Sequence, residues 1–273
     1  MLRVISKWSQ QCRCCSATTT PFRGSSAYDV PQTTVLDLRG SSFERGDDIE
    51  VRPFWISSET EDGNPKVVLL TYAVPPNNDF QPAFSGDEPF SCHACEPLIG
   101  AAVFVRSAGQ WKVDSSRAVV TRAGGWGRPP VSIRVVPVGS RRIGIEISVA
   151  DTGQGETTAT KYLLVPWAGK VTEALVKVVA DNDKGDCAKD AIPCYANRRK
   201  LNLVKGKNPD YYDVVLTLSG TDITGSELLV AKRVHGMERL EFTDGRYRTV
   251  SRQGDVMSIE CTHEEGRKAF GPS

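Results

Sequence analysis

The feature that most constrains this chain is a repeated sketch: an apolar or alternating run, a short glycine-containing turn, and a second such run. It recurs at 99–106 with Trp111-Lys112-Val113 around Ser107-Ala108-Gly109-Gln110, at 131–149 around Gly139-Ser140, and at 162–179 around Trp167-Ala168-Gly169-Lys170. Its cleanest copy is 240–250 around Thr243-Asp244-Gly245-Arg246, because Asp-Gly supplies the positive backbone angles of a two-residue hairpin turn. No window carries helical periodicity over three turns, although 226–235 reads as a strand or a short helix. The pattern predicts an all-β fold, an antiparallel hairpin-rich meander or sandwich. The hairpin spacing is too uneven to count blades, so a partial β-propeller comes second.

Other segments extend this reading. Residues 34–38 and 49–52 are short alternating runs, and 66–74 (KVVLLTYAV) is near-continuously apolar, as a central strand requires. Residues 75–91 are a Pro/Asn/Asp/Ser loop, and 211–219 (YYDVVLTLS) is a further buried strand. Residues 1–30, polar and without periodicity, read as a disordered leader or a spurious N-terminus. Residues 31–260 read as a single β-rich domain and 261–273 as a flexible tail.

Charge excludes little but sets a direction. The formal net charge of +1 gives no global electrostatic case for nucleic acid, and none is expected as a partner. The clusters Arg141-Arg142, Arg198-Arg199-Lys200 and Lys205/Lys207 read as solvated surface. No apolar run reaches the roughly 18–20 residues that cross a bilayer, so no membrane span is expected. The opening MLRVISKWSQQCRCC lacks a sustained apolar h-region and a clear signal-peptide cleavage site. Cys12, Cys14 and Cys15 do not form a lipoprotein motif.

The remaining cysteines are Cys92/Cys95, Cys187/Cys194 and the lone Cys261. Cys187 and Cys194 bracket CAKDAIPC, a proline-containing loop that suits a local disulfide. Cys92-His93-Ala94-Cys95 admits a local disulfide, half of a four-thiolate zinc site shared with the other pair, or a redox motif. A strand follows it rather than a helix that would lower a thiol pKa. The disulfide is favoured, with no metal and no cofactor. His93 reads as a turn residue, and His263 belongs to the charged tail.

Three segments look like chemistry. Asp151-Thr152-Gly153 echoes the aspartic-protease triplet, but Gln154 stands where Ser or Ala belongs and no second triplet exists. DTGQGETT therefore reads as a long hairpin loop. The run 181–186 (DNDKGD) clusters oxygen ligands but has Gly185 in place of a third ligand and no closing glutamate, so it reads as an acidic turn beside a disulfide. Gly124-Gly125-Trp126-Gly127-Arg128-Pro129-Pro130 sets one aromatic ring between glycines with an arginine beside it. This is a recipe for an interaction hot spot or for a ring that caps the core.

Several of these residues together, Cys92-His93-Ala94-Cys95 before a strand, the hairpin Gly109/Trp111, and Gly127 to Pro130, form a recognisable set. With Thr152-Gly153-Gln154-Gly155, the Cys187…Cys194 pair and Tyr211-Tyr212-Asp213, the chain resembles a class of bacterial exported β-rich proteins over roughly 67–250. The resemblance implies a periplasmic or secreted fold with paired cysteines, and no activity. The resulting expectation is a non-enzymatic binding domain stapled by Cys92–Cys95 and Cys187–Cys194. Its contact loops would carry Trp126/Arg128 and Gln154/Glu156, and its partner would be a protein or a small molecule. Two alternatives stand beside it: a hydrolase using carboxylates such as Asp151 and Glu156, and a zinc-stabilised intracellular β protein.

Overall fold

A computed structural model describes residues 51–61, 63–73, 96–153, 155–185, 187, 193–224 and 230–255. Its strands are β1 (Arg52–Glu61), β2 (Asn64–Ala73), β3 (Leu98–Ser107), β4 (Gln110–Arg122), β5 (Ser132–Gly139) and β6 (Arg142–Gly153). The series continues with β7 (Glu156–Trp167), β8 (Lys170–Asn182), β9 (Ala196–Val204), β10 (Asp213–Thr224), β11 (Val230–Thr243) and β12 (Arg246–Gly254). They form two antiparallel sheets, β1-β2-β3-β4 and β12-β11-β10-β9-β8-β7-β6-β5, in which every strand neighbours the next in sequence. The all-β, hairpin-rich meander expected from the turn pattern is the observed fold. The expected strand at 34–38, the loop at 75–91, the Cys92–Cys95 turn and the leader and tail lie outside the described residues.

The turns explain the meander. Ala108-Gly109, Ala168-Gly169 and Asp244-Gly245 have φ values of 50 and 78, 49 and 74, and 51 and 80°. Both central residues of each turn are left-handed, and this twist matches the right-handed twist of the flanking strands. The β5/β6 turn at Ser140-Arg141 has no such pair and is braced from outside. Tyr212 N donates to Val138 O at 2.7 Å, and Ser140 Oγ donates to Pro209 O at 3.1 Å.

The chain divides into two compact units: Met1–Val136 with Ile143–Val149 and Leu164–Glu173, and Pro137–Arg142 with Ala150–Leu163 and Ala174–Ser273. In the first, β2 lies between β1 and β3 as its apolar run predicts, with Val67 opposite Phe104 and Leu70 opposite Ala101. Val67, Ala102 and Phe104 form a buried cluster against Ile56, Leu69 and Trp111. Gly100 marks a close approach: a Cβ there would sit 2.5 Å from both Ala118 O and Thr71 Oγ1, beside the bulge where β3 and β4 shift register.

In the second unit β9, β10 and β11 pair along nearly their whole length, whereas β8 and β9 pair only from Ala180–Arg198 to Asn182–Ala196. Beyond that point the Arg199 guanidinium fills in, its Nη1 donating to Val178 O at 3.1 Å. Tyr211 stacks on Phe242 with centroids 3.9 Å apart, Tyr247 meets Phe242 edge-on, and the Arg142 guanidinium lies over Tyr211.

Candidate functional site

The loop from β4 to β5 carries the clearest unusual geometry. Ala123 N donates to Pro97 O at 3.3 Å, which holds the loop's first residue against the segment preceding β3. Gly125 and Arg128 then exchange two backbone hydrogen bonds, N to O at 3.3 Å one way and 2.9 Å the other. Between them Trp126 has φ 58° and Gly127 φ 66°, the left-handed pair of a two-residue hairpin turn. Glycine takes that conformation freely, but a bulky side chain crowds its own carbonyl there, at a cost of about 1–2 kcal/mol. Gly124, at φ 117°, leaves no room for a Cβ, which would meet Arg128 O and the Pro97 ring.

The turn therefore fixes a strained tryptophan. Its ring is partly buried and Arg128 is exposed. Val131, at the loop's far end, is 98% exposed. The sequence reading named Trp126 and Arg128 but not Val131. A valine after Pro129-Pro130 looks like the first residue of a strand, and its outward placement leaves no mark in the pattern.

The second expected contact loop is shorter than anticipated. β6 runs through Gly153 and β7 starts at Glu156, so most of DTGQGETT belongs to the two strands and not to a long loop. Thr152 and Thr157 face each other across it at 3.0 Å. Glu156 and Asp151 are exposed, and Gln154 lies outside the described residues. Gly155 O accepts from Gly185 N at 3.0 Å, which ties this turn to the acidic segment that follows β8.

That segment uses its acids structurally. Asp183, 7% exposed, accepts Tyr195 N at 2.7 Å, and its carbonyl accepts Cys187 N at 3.0 Å. Asp181 accepts the Tyr195 hydroxyl at 3.3 Å and Thr158 Oγ1 at 3.4 Å. Burial raises the Tyr195 phenol well above its ordinary value, and the charges of Asp181, Glu156 and Asp183 raise it further, so it remains a hydrogen-bond donor. Cys187 and Cys194 form the predicted disulfide. Asp183 and these two sulfurs converge as three metal-type ligands would. With the sulfurs joined to each other, however, no thiolate is left to ligate. Cys92 and Cys95 lie outside the described residues.

Two buried carboxylates organise the second unit: Glu238, which the sequence did not single out, and Asp213, which entered only as part of the resemblance. Glu238, 1% exposed, accepts Arg252 Nε at 3.2 Å and Nη2 at 3.1 Å and Thr249 Oγ1 at 2.5 Å, with Lys177 Nζ 3.5 Å away. Asp213, also 1% exposed, accepts Arg239 Nε at 2.9 Å and Nη2 at 2.5 Å. Each has its charge balanced by a guanidinium that it accepts from, the condition under which a buried acid is tolerated. A cavity of about 10 Å³ between β8 and β9 is lined by Val178, Val179, Ala180, Asp181, Asn197 and Arg199. Among the described residues Arg199 Nε and Nη2 and Asn197 Oδ1 find no hydrogen-bond partner. Its volume suits one water, which would donate to the amide oxygen and accept from the guanidinium.

Among the described residues no helix is long and apolar enough to cross a membrane. Compared with protein-family models, with curated proteins and with solved structures, the chain matches none of them.

Proposed function

We propose that this chain is an extracytoplasmic, non-enzymatic interaction domain that docks a protein partner through the loop between β4 and β5. Trp126 and Arg128 are the contact residues and Val131 extends the surface. The observation that carries the reading is the turn itself: a tryptophan held at φ 58° between two glycines, followed by an exposed arginine and a valine that is 98% exposed. Strained backbone of this kind persists where the surroundings over-determine it, and Trp and Arg dominate interface energetics. Glu156, exposed at the β6/β7 turn, is by the same logic of loop placement a contact residue of the second unit, taken by itself. The Cys187–Cys194 disulfide supports an oxidising compartment, periplasmic or secreted. The zinc-stabilised intracellular reading needs four thiolates, two of which are joined here.

The test uses a photo-cross-linking residue at position 131 to capture a partner from envelope and secreted fractions, followed by affinity measurements on variants. Val131→Asp should weaken the partner at least tenfold while leaving the unfolding midpoint in place. Trp126→Ala should weaken it more. Unchanged affinity in both variants sinks the proposal, as does a Trp126→Ala affinity loss fully accounted for by unfolding.

A further inference from the structure

The solvent face of β9, β10 and β11 has a regular chemical layout. Cross-strand register places Arg198 beside Ser219 and Ser219 beside His235, then Lys200 beside Thr217 and Thr217 beside Met237, with Arg233 one step further along β11. Arg198, Lys200, Arg233, His235, Thr217 and Ser219 are all exposed. Their alternate neighbours Leu216, Leu218 and Val234 are buried on the opposite face. Long cationic side chains thus rise from β9 on one side and β11 on the other, about 10 Å apart, two interstrand spacings. Between them β10 contributes the short hydroxyl side chains of Thr217 and Ser219. The result is a shallow trough with cationic rims and a hydrogen-bonding floor, running parallel to the strands.

Among the described residues the charge of Arg198, Lys200 and Arg233 is uncompensated. The acids that might neutralise them are engaged elsewhere: Asp213 holds Arg239, and Glu238 holds Arg252 and Lys177 from the opposite face. Asp255 lies beside the β11 rim, level with Ser219 and Arg198, accepting from His235 N and Lys232 Nζ with His235 Nδ1 3.6 Å away, so it is taken up by His235 and Lys232. Glu241 lies further along, opposite Arg248. Among the described residues Arg198, Lys200 and Arg233 make no ion pair. Because β-strand side chains alternate, Arg199 turns away from Arg198 and Lys200 to bond Val178 O, so the rim keeps two cations about 6.7 Å apart along β9.

We infer that this trough binds an extended anionic polysaccharide, with Arg198, Lys200 and Arg233 engaging its carboxylate or sulfate groups and Thr217 and Ser219 its hydroxyls. Repeating negative charge matches the spaced cations, and a hydroxyl-bearing chain matches the floor. Single-stranded nucleic acid fits worse, since the outer face of β9–β11 offers no Phe, Tyr or Trp on which bases could stack.

The experiment measures fluorescence anisotropy of the full chain with three labelled probes. These are a heparin octasaccharide (sulfated), an oligogalacturonate octamer (carboxylated) and a twelve-nucleotide oligothymidylate. Neutral dextran serves as competitor. At least one anionic glycan should bind, weaken as salt rises, resist dextran and exceed the oligothymidylate at least tenfold; the glycan that binds identifies the anion. The triple variant Arg198→Gln/Lys200→Gln/Arg233→Gln should lose at least tenfold. Lys112→Gln/Arg117→Gln/Arg122→Gln, the same charge loss on exposed β4 positions, should lose less than twofold. Ser219→Tyr fills the floor without changing charge and should match the triple variant's loss, which keeps the test valid even if the triple variant folds poorly. The inference is overturned if neither glycan binds, if the β4 control loses as much, if Ser219→Tyr binds normally, or if oligothymidylate binds as tightly.

Discussion

Replacing Trp126 with Gly and separately with Ala divides its energetics into two parts. Both changes remove the ring, so both carry the same loss of ring contacts. For a partly buried tryptophan this is about 2–4 kcal/mol at roughly 25 cal/mol per Å² of covered area. They differ in the backbone. At φ 58° alanine retains the left-handed penalty of about 1–2 kcal/mol, whereas glycine has none but loses about 0.5–1 kcal/mol of chain entropy on folding. Trp126→Gly should therefore be more stable than Trp126→Ala by about 0.5–1 kcal/mol. Urea denaturation followed by tryptophan fluorescence and circular dichroism reads the difference as a shift in midpoint at constant slope. Two compact units can unfold separately, so coincidence of the two probes must be checked first. An alanine variant as stable as the glycine variant would refute a left-handed Trp126 and remove the strain argument for the loop. If both variants match the parent in stability yet abolish partner binding, the ring contributes nothing to the fold and serves contact alone.

Four other outcomes follow from the geometry. Glu238→Ala leaves Arg252 and Lys177 facing each other without their carboxylate, and should cost about 3–5 kcal/mol in chemical denaturation; a loss under 1 kcal/mol would contradict the buried network. Cys187→Ala/Cys194→Ala opens a loop of sequence separation 7. Chain entropy predicts a loss of about 2.5 kcal/mol, equalled by reducing the parent with dithiothreitol. Gly100→Ala drives a methyl against Ala118 O and Thr71 Oγ1, for a loss of about 1–3 kcal/mol, while Gly109→Ala, with open space but φ 78°, should lose less. Arg199→Met exchanges a guanidinium with two nitrogens lacking protein partners, and its one bond to Val178 O, for an apolar chain, and should leave stability within about 1 kcal/mol of the parent; a loss above about 2 kcal/mol would mean that the bond to Val178 O and the cavity water satisfy the charge.

The parts of the fold legible in the sequence were those encoded by turn chemistry and by uninterrupted apolar runs. Asp244-Gly245 and β2 are examples, since each needs only local information. β1 escaped because RPFWISSETE does not alternate: its burial is intermediate along most of its length rather than two-faced. β9 escaped for a different reason. In ANRRKLNLV the charged residues hide the period, although Arg198 and Lys200 are exposed while Asn197 and Arg199 turn the other way. Glu238 gave no signal either, because its partners come from β8 and β12 and no pattern within β11 announces them. The site was legible only as a residue list. Trp126 and Arg128 stood out by composition, but the left-handed angle belongs to a turn closed by Gly125–Arg128 pairing beside Pro97 and Gly124, and the exposure of Val131 follows from no local pattern.

The same partition explains why the net charge of +1 misdescribes the second unit. A formal sum counts Asp213 and Glu238 against every cation equally, but a buried carboxylate neutralises only what it touches. Asp213 engages Arg239, and Glu238 engages Arg252 and Lys177 on the opposite side of the sheet. Each pair is thereby withdrawn from the field that an approaching ligand feels. Three of the cations left over, Arg198, Lys200 and Arg233, project from one face, because period-two alternation and antiparallel register bring them there together. A nearly neutral protein can in this way present a locally cationic surface. Its contribution to binding should fall with salt, since exposed charges are screened within about 8 Å at physiological ionic strength. The Glu238 network, being buried, should hold its stability over the same salt range. Raising salt should therefore separate the two, releasing an anionic ligand from the trough while the unfolding midpoint stays fixed.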